Sequence, residues 1–216
     1  MSRPVIIVGG GGHAHVIIDA LTRGGISVIG ICDPALSKGS LGPLGVLVLG
    51  NDSALSGYPP SDVDLVNGVG STSSTDSHRQ VFEVFSRRGY RFVSVVHPSA
   101  IIARDVRVEE GGQLMAGVVV QAGTVIGRNT IVNTGSCIDH NCRLGDHVHV
   151  APGVTLSGGV TVGSNTHIGV GASIIQSVII GEHCLIGAGT VVLTNVDDGC
   201  RIVTPPSRTL IERPAK

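Results

Sequence analysis

From Ile102 to Val192 an aliphatic side chain returns at every sixth position: Ile102, Val108, Leu114, Val120, Ile126, Val132, Ile138, Leu144, Val150, Leu156, Val162, Ile168, Ile174, Ile180, Ile186 and Val192. All 16 places hold Val, Ile or Leu, without one insertion. Two residues earlier in each hexad stands a small side chain, as at Thr124, Thr130, Ser136 and Cys142. Three residues after the aliphatic comes a third column: Asp105, Gly111, Gly117, Gly123, Asn129, Gly135, Asn141, His147 and onward to Asn195. Most of its members tolerate a left-handed backbone cheaply. A period of six with a turn residue in each unit excludes an α-helix. It predicts one short strand and one corner per hexad, three hexads to a triangular coil, and coils stacked about 4.8 Å apart. The run gives slightly over five coils of a parallel β-helix.

Residues 1–97 follow another grammar. "PVIIVGG" reads as a buried strand, "HAHVIIDALTRGG" as an amphipathic helix closed by Gly24 and Gly25, and "SVIGICD" as a second strand. "VDLVNGVG" is a further strand and "SHRQVFEVFSRRG" a further helix, with "FVSVVHPSA" joining the two halves. Strands alternating with helices predict a small parallel sheet of Rossmann type with about four strands. The expected organisation is therefore a Rossmann-like domain over 1–97 and a β-helix domain with its tail over 98–216.

Composition sharpens this picture. Gly is abundant at 32 residues, while Phe, Tyr and Trp number 3, 2 and 0, so the interior must be filled by Val, Ile, Leu and Ala. A formal net charge of −1 gives no electrostatic case for nucleic acid or an anionic membrane. No apolar run approaches the length of a spanning helix, and "MSRPVIIVGGGGHAH" reads directly as strand and turn rather than as a cleavable leader. Five cysteines without a C-x-x-C pair favour reduced thiols and the cytoplasm.

Two features can carry chemistry. The Gly9-Gly10-Gly11-Gly12-His13-Ala14 turn follows a strand and opens a helix, where backbone N–H groups can hold a phosphate. Asp33, ending the second strand, could then bond a ribose or sugar hydroxyl, although a lone G-x-G-x-x-A is also met as a plain tight turn. The histidines sort by column. His147 and His183 fall in the turn column, alternating with Asn129 and Asn165, and read as a corner ladder. His149 and His167, 18 residues apart, stack on one face; as a pair without a nearby carboxylate they make a poor metal site. No metal is expected. His78 and His97 have no partner that the pattern identifies. His140 occupies an outward corner with Ala122 and Gly158 on the neighbouring coils, which leaves its imidazole uncovered.

The stretches "VGGGGHAHVIIDAL", "NGVGSTSSTDSHRQ", "VVHPSAIIARDVRVEEGGQLMAGVVVQAGTVIG" and "NTGSCIDHNCRLGDHVHVAPG" resemble, nearly end to end, the sialic-acid and bacillosamine acetyltransferase family of left-handed β-helix enzymes. They are especially like the nucleotide-sugar N-acetyltransferases acting on UDP-4-amino sugars or GDP-perosamine. The resemblance implies a left-handed helix, a homotrimer with active sites between subunits, and acetyl-CoA as cosubstrate. It implies His140 as general base. His149, Val170 and Ala188 match positions that contact acetyl-CoA. Gly12, His13, Ala14, Asp33, Gly68 and Gly70 match the region that holds the nucleotide sugar. Two departures stand out. The bacillosamine branch has a Glu after the base, where this chain has Asn141, a turn-column residue that by its place beside His140 is also a catalytic candidate, and "IVTPPSR" differs from the family's usual C-terminal tail.

The mechanism implied is direct transfer. A histidine whose ordinary pKa lies near 6.5 is suited to taking a proton from an amine as it attacks the thioester. A backbone N–H that the sequence does not identify would hold the oxyanion. Cys137 and Cys142 are not nucleophiles in this scheme, and Cys142 falls in the inward column. Alternatives are a sialic acid or sugar O-acetyltransferase, a dinucleotide-binding protein with the β-helix as scaffold, and a zinc enzyme built on His149 and His167. The base of the nucleotide, the sugar, and the destination of the product, lipopolysaccharide O-antigen or glycoprotein glycan, stay open.

Overall fold

The structure is a computed structural model that describes residues 3–204. Four parallel strands, β1 (Val5–Val8), β2 (Val28–Cys32), β3 (Val48–Gly50) and β4 (Asp64–Asn67), form one sheet in the order β3-β2-β1-β4. Helix α1 (Gly12–Arg23) links β1 to β2, and α2 (Asp76–Arg87) follows β4. β1 and β4 are buried along their whole length: β1 lies inside the sheet with both faces covered, and β4, at its edge, is flanked by a parallel bridge from Leu65 to Phe92. Ile17, Ile18 and Leu21 of α1 pack with Val5 and Ile7, while Phe82 and Phe85 of α2 pack with Ile6 and Leu65. The chain leaves β1 for β2 on one side and reaches β4 on the other, so a crevice opens beyond the carboxyl end of β1. The Gly9–Gly12 turn lies there. The sequence reading did not name β3, because three residues are too few to display a period.

The β-helix begins within the segment read as a join. β5 (Val95–Val96) already pairs in parallel with Gln113–Leu114. Two-residue strands build three parallel sheets, of seven, six and five strands. Their register steps by one coil, as in Ile131↔His149 and Cys137↔Thr155. Arg201–Ile202 adds one more strand beside Leu185–Ile186 after the hexad pattern has lapsed. The aliphatic column and the small column both point inward, and Val120, Ile126, Val132, Cys142 and Thr166 are fully or almost fully buried. Inward hydroxyls bond carbonyls: Thr124 to Asp139 O at 2.9 Å, Thr130 to Gly145 O at 2.8 Å, and Ser136 to Ala151 O at 2.9 Å.

The turn column behaves as its residues predict. Asn129, Asn141, His147, Asn165, Ser177 and His183 have φ between 51° and 61°, and the glycines of the column share that region. Asp105 and Asn195, at the two ends of the run, do not. Some glycines serve closeness instead: a Cβ on Gly163 would lie 2.5 Å from the backbone N of Glu182 on the next coil.

One face of the prism is covered. Its outward residues Gln113, Ile131, His149 and His167 are buried beneath the α/β layer, and Val95 and Met115 join the α1 cluster. The face carrying Ile101, Val119, Cys137, Thr155, Ser173 and Val191 bears no charge on its strands and is largely open. No helix among the described residues is long and apolar enough to cross a membrane.

Candidate active site

A cavity of about 740 Å³ lies where the Gly-rich turn meets the covered face of the β-helix. Gly9, Gly11, Gly12, His13 and Asp33 form one wall, Gly68–Thr72 the second, and Asn133, Thr134, His149 and Pro152 of the coils the third. Its glycines are explained by contact. A Cβ on Gly68 would fall 2.3 Å from Gly9 O, and one on Gly70 would fall 3.1 Å from His13 Cβ. Gly11 and Gly12, by contrast, open onto free space, so the start of α1 offers N–H groups that no side chain shields. Ala14 is buried in the α1 core and holds the helix rather than lining the cavity.

Asp33 lines the cavity beside the Gly-rich turn. Its carboxylate accepts from Gly10 N at 2.6 Å and from Ala35 N at 2.7 Å. It thereby ties the Gly-rich turn to the end of β2, a role that two orphan N–H groups beside a strand end call for. A second cavity of about 660 Å³, lined by Leu36, Lys38, Asn51 and Tyr58 among others, lies beyond the Asp33–Leu36 turn and contains no histidine.

The junction between sheet and β-helix is a buried polar network. Gln113, 1% exposed, donates from Nε2 to Asn67 O at 2.8 Å and meets His13 Nε2 with Oε1 at 2.7 Å. Asn67 donates to His78 O and to Asn129 Oδ1. His78 faces the carbonyls of Val69 and Asn129 at 2.5 and 3.0 Å, and burial pushes its pKa down to about 4. His149 and His167 stack with ring centroids 4.9 Å apart, and Ser71 meets His167 Nδ1 at 2.8 Å. His149 Nδ1 is buried without a partner among the described residues. Burial also lowers the pKa of His13, His147, His149 and His167, with neighbouring histidines adding to the effect at His149. Burial favours the neutral form of these rings, so each donates through one nitrogen only, and His78 can bond just one of its two carbonyls at a time. Among the described residues no three His, Cys, Asp or Glu side chains converge as a metal set would. His97, also without a foreseen partner, accepts from Ser99 N and Oγ at 3.0 and 2.7 Å.

His140 stands at a different corner and lines none of these cavities. It is exposed, and its ring lies over Gly158 on the next coil: a Cβ there would sit 2.6 Å from both Cε1 and Nε2. Asn141, held at φ 58°, brings its amide to His140 Nδ1 at 3.1 Å. Asp139 does not orient the ring, because its Oδ1 accepts from the His140 backbone N at 2.7 Å. Cys142 is buried, which pushes its thiol pKa up, while Cys137 is exposed.

Pro152, Val170 and Ala188 stack along the edge nearest the first cavity, each one coil above the last. Gly171 N bonds Pro152 O at 3.0 Å and Gly189 N bonds Val170 O at 2.8 Å. The N–H groups of Val170 and Ala188 make no backbone bond among the described residues, and the Val170 side chain is 55% exposed. A long ligand with amides and apolar stretches fits such an edge. The tail "IVTPPSR" falls largely outside the described residues. Sequence reasoning missed Gln113, Ser71 and Thr134, while Gly158 was foreseen as the small neighbour of His140. Gln113 carried no signal of its own, since a polar residue in an outward column is ordinary.

Comparison with known proteins identifies both halves of the chain. Residues 4–77 match the PglD N-terminal domain, and residues 123–158 and 159–194 match the bacterial transferase hexapeptide (six repeats) family. A variant of perosamine N-acetyltransferase from Caulobacter crescentus, in complex with CoA and GDP-perosamine, is 36% identical over 93% of both chains with a TM-score of 0.85. The acetyltransferase domain of PglB from Neisseria gonorrhoeae FA1090, in complex with acetyl coenzyme A, is 30% identical over 97% of this chain and 100% of that one, with a TM-score of 0.88. WeeI from Acinetobacter baumannii AYE, at 22% identity and a TM-score of 0.84, shares the fold.

Proposed function

We propose, from the premise that this chain belongs to the bacillosamine-type hexapeptide-repeat family of sugar N-acetyltransferases and is an acyltransferase using acetyl-CoA, that it acetylates the 4-amino group of a nucleotide-linked amino sugar such as GDP-perosamine. The observation that carries this reading is the cavity shared by the Gly-rich turn and the Thr134–Pro152 edge, with the Val170–Ala188 column leading away from it. The diphosphate lies on the free N–H groups at Gly11 and Gly12, and acetyl-CoA lies along Pro152, Val170 and Ala188 with its thioester at the cavity mouth.

His140 is absent from that cavity in its own chain. The uncharged face between the Pro152 corner and the His140 corner supports a site shared between subunits. If that face turns toward a threefold axis, the Pro152 edge of one protomer meets the His140 edge of the next. The active unit is then a homotrimer with three shared sites. His140 removes a proton from the amine as its nitrogen bonds the acetyl carbon. The Gly158 N–H, which makes no bond among the described residues, donates to the oxyanion. The C–S bond then breaks and the CoA thiolate takes a proton from the imidazolium or water. For Nε2 to be the base, Nδ1 must carry the ring proton and Asn141 must present its amide oxygen. That oxygen has no other partner among the described residues, so the amide turns without cost. The substrate chemistry points to the cytoplasm, where acetyl-CoA is made.

The test is a panel of GDP- and UDP-linked 4-amino sugars with acetyl-CoA, read by thiol release and by mass spectrometry of the product. Acetylation of hydroxyl sugars in preference to amino sugars would overturn the N-acetyl assignment.

A further inference from the structure

Gln113 is a β-helix residue whose side-chain amide can be assigned without ambiguity. Its Nε2 donates to Asn67 O, an acceptor only, so Oε1 is the atom that faces His13 Nε2 at 2.7 Å. An amide oxygen accepts, and His13 must therefore carry its proton on Nε2. Nδ1 is left as a lone pair. No described residue donates to that nitrogen, and His13 lines the cavity beside Gly11, Gly12 and Gly70. Asp33 shares the cavity with its carboxylate engaged by Gly10 and Ala35, and His78 and His149 are the other titratable rings facing His13.

We propose that Gln113 is a positioning residue which fixes His13 as a hydrogen-bond acceptor, so that His13 Nδ1 receives a hydroxyl of the nucleotide sugar and not a phosphate oxygen. This rests on the nucleotide-sugar reading of the cavity and deepens it. The Gly11–Gly12 backbone and the side chain that follows it then do opposite things. The N–H at the start of α1 donates to the anionic diphosphate, while the ring selects a neutral donor. Burial, which lowers the His13 pKa, keeps the ring in that form at neutral pH. A phosphate oxygen has no proton to offer an imidazole lone pair, so the two subsites cannot be exchanged and the ligand has one orientation.

The direct test is the ring tautomer of His13 in the whole protein, by nitrogen-15 correlation of labelled histidine with His13→Ala assigning the signal. The expected result is an Nε2–H ring with an unprotonated Nδ1 at pH 7.5. An Nδ1–H or doubly protonated ring would overturn the proposal. The kinetic arm is Gln113→Glu, whose carboxylate holds an imidazolium and turns Nδ1 into a donor. KM for the amino-sugar nucleotide should rise about tenfold, the worth of one hydrogen bond, while KM for acetyl-CoA is unchanged. Equal changes in both constants would mean a structural role only and would overturn it. The tautomer is read without turnover, so it stands or falls separately from the acetyl transfer.

Discussion

Gly158→Ala tests the catalytic arrangement without touching a titratable group. The new Cβ would sit 2.6 Å from Cε1 and Nε2 of His140, against about 3.4 Å or more for an ordinary contact between such atoms. The ring must therefore move by close to 1 Å. Gly158 is not among the residues with positive φ, and the ring is the free end of an exposed side chain, so the backbone has no reason to shift. A displacement of that size at a reacting group costs about 10²-fold in rate, equivalent to about 2.7 kcal/mol in the barrier. Stability should be unchanged or higher by a few tenths of a kcal/mol, because alanine restricts the unfolded chain. The assays are kcat at saturating substrates and Tm, in wild-type and His140→Ala backgrounds. With His140 absent, Gly158→Ala should cost nothing further, the signature of coupled sites. A wild-type kcat, or an equal loss in both backgrounds, would refute the reasoning.

His140→Ala itself should lower kcat by about 10² to 10⁴-fold, the range for loss of a general base, with the oligomer intact by light scattering. Gly163→Ala should do the reverse, destabilising the fold by about 2–4 kcal/mol in chemical denaturation, since the new methyl meets backbone of the next coil and no rotation relieves it. The buried histidines make stability pH-dependent. His78 titrates near 4 in the folded chain and near 6.5 unfolded, so protons favour the unfolded chain. The stabilisation is fully present above pH 6.5 and is lost as pH falls. At pH 5 His78 alone costs about 2 kcal/mol relative to pH 7, and His78→Gln should flatten the Tm profile over that range.

How far the sequence announced this molecule depended on whether a feature repeats. The hexad column gave the β-helix, its inward faces and its left-handed corners, because each of those is the same physical problem solved once per hexad. The Gly-rich turn was equally legible, since a strand, a glycine run and a helix start are contiguous. What stayed hidden were relations between distant segments. Gln113 is one more outward residue in the sequence and is buried only because the α/β layer covers it, and nothing in the sequence tells that the Asp33 carboxylate also ties down Gly10 and Ala35. Asn141 carries two readings in the sequence, a turn residue and a catalytic candidate beside His140, and one side chain both tolerates φ 58° and reaches the His140 ring. Strand β5 was read as a linker because a single coil strand has no periodicity of its own.

Mixed assemblies give the most direct test of the shared site. His140→Asn leaves the cavity intact, and Gly12→Phe fills the cavity while leaving His140 intact; each alone should be inactive. Co-refolded in equal amounts, the two chains should regain about a quarter of wild-type activity, since one in four neighbouring pairs unites an intact cavity with an intact imidazole. Verified mixed oligomers with no recovered activity would contradict the account, placing base and acceptor within one chain.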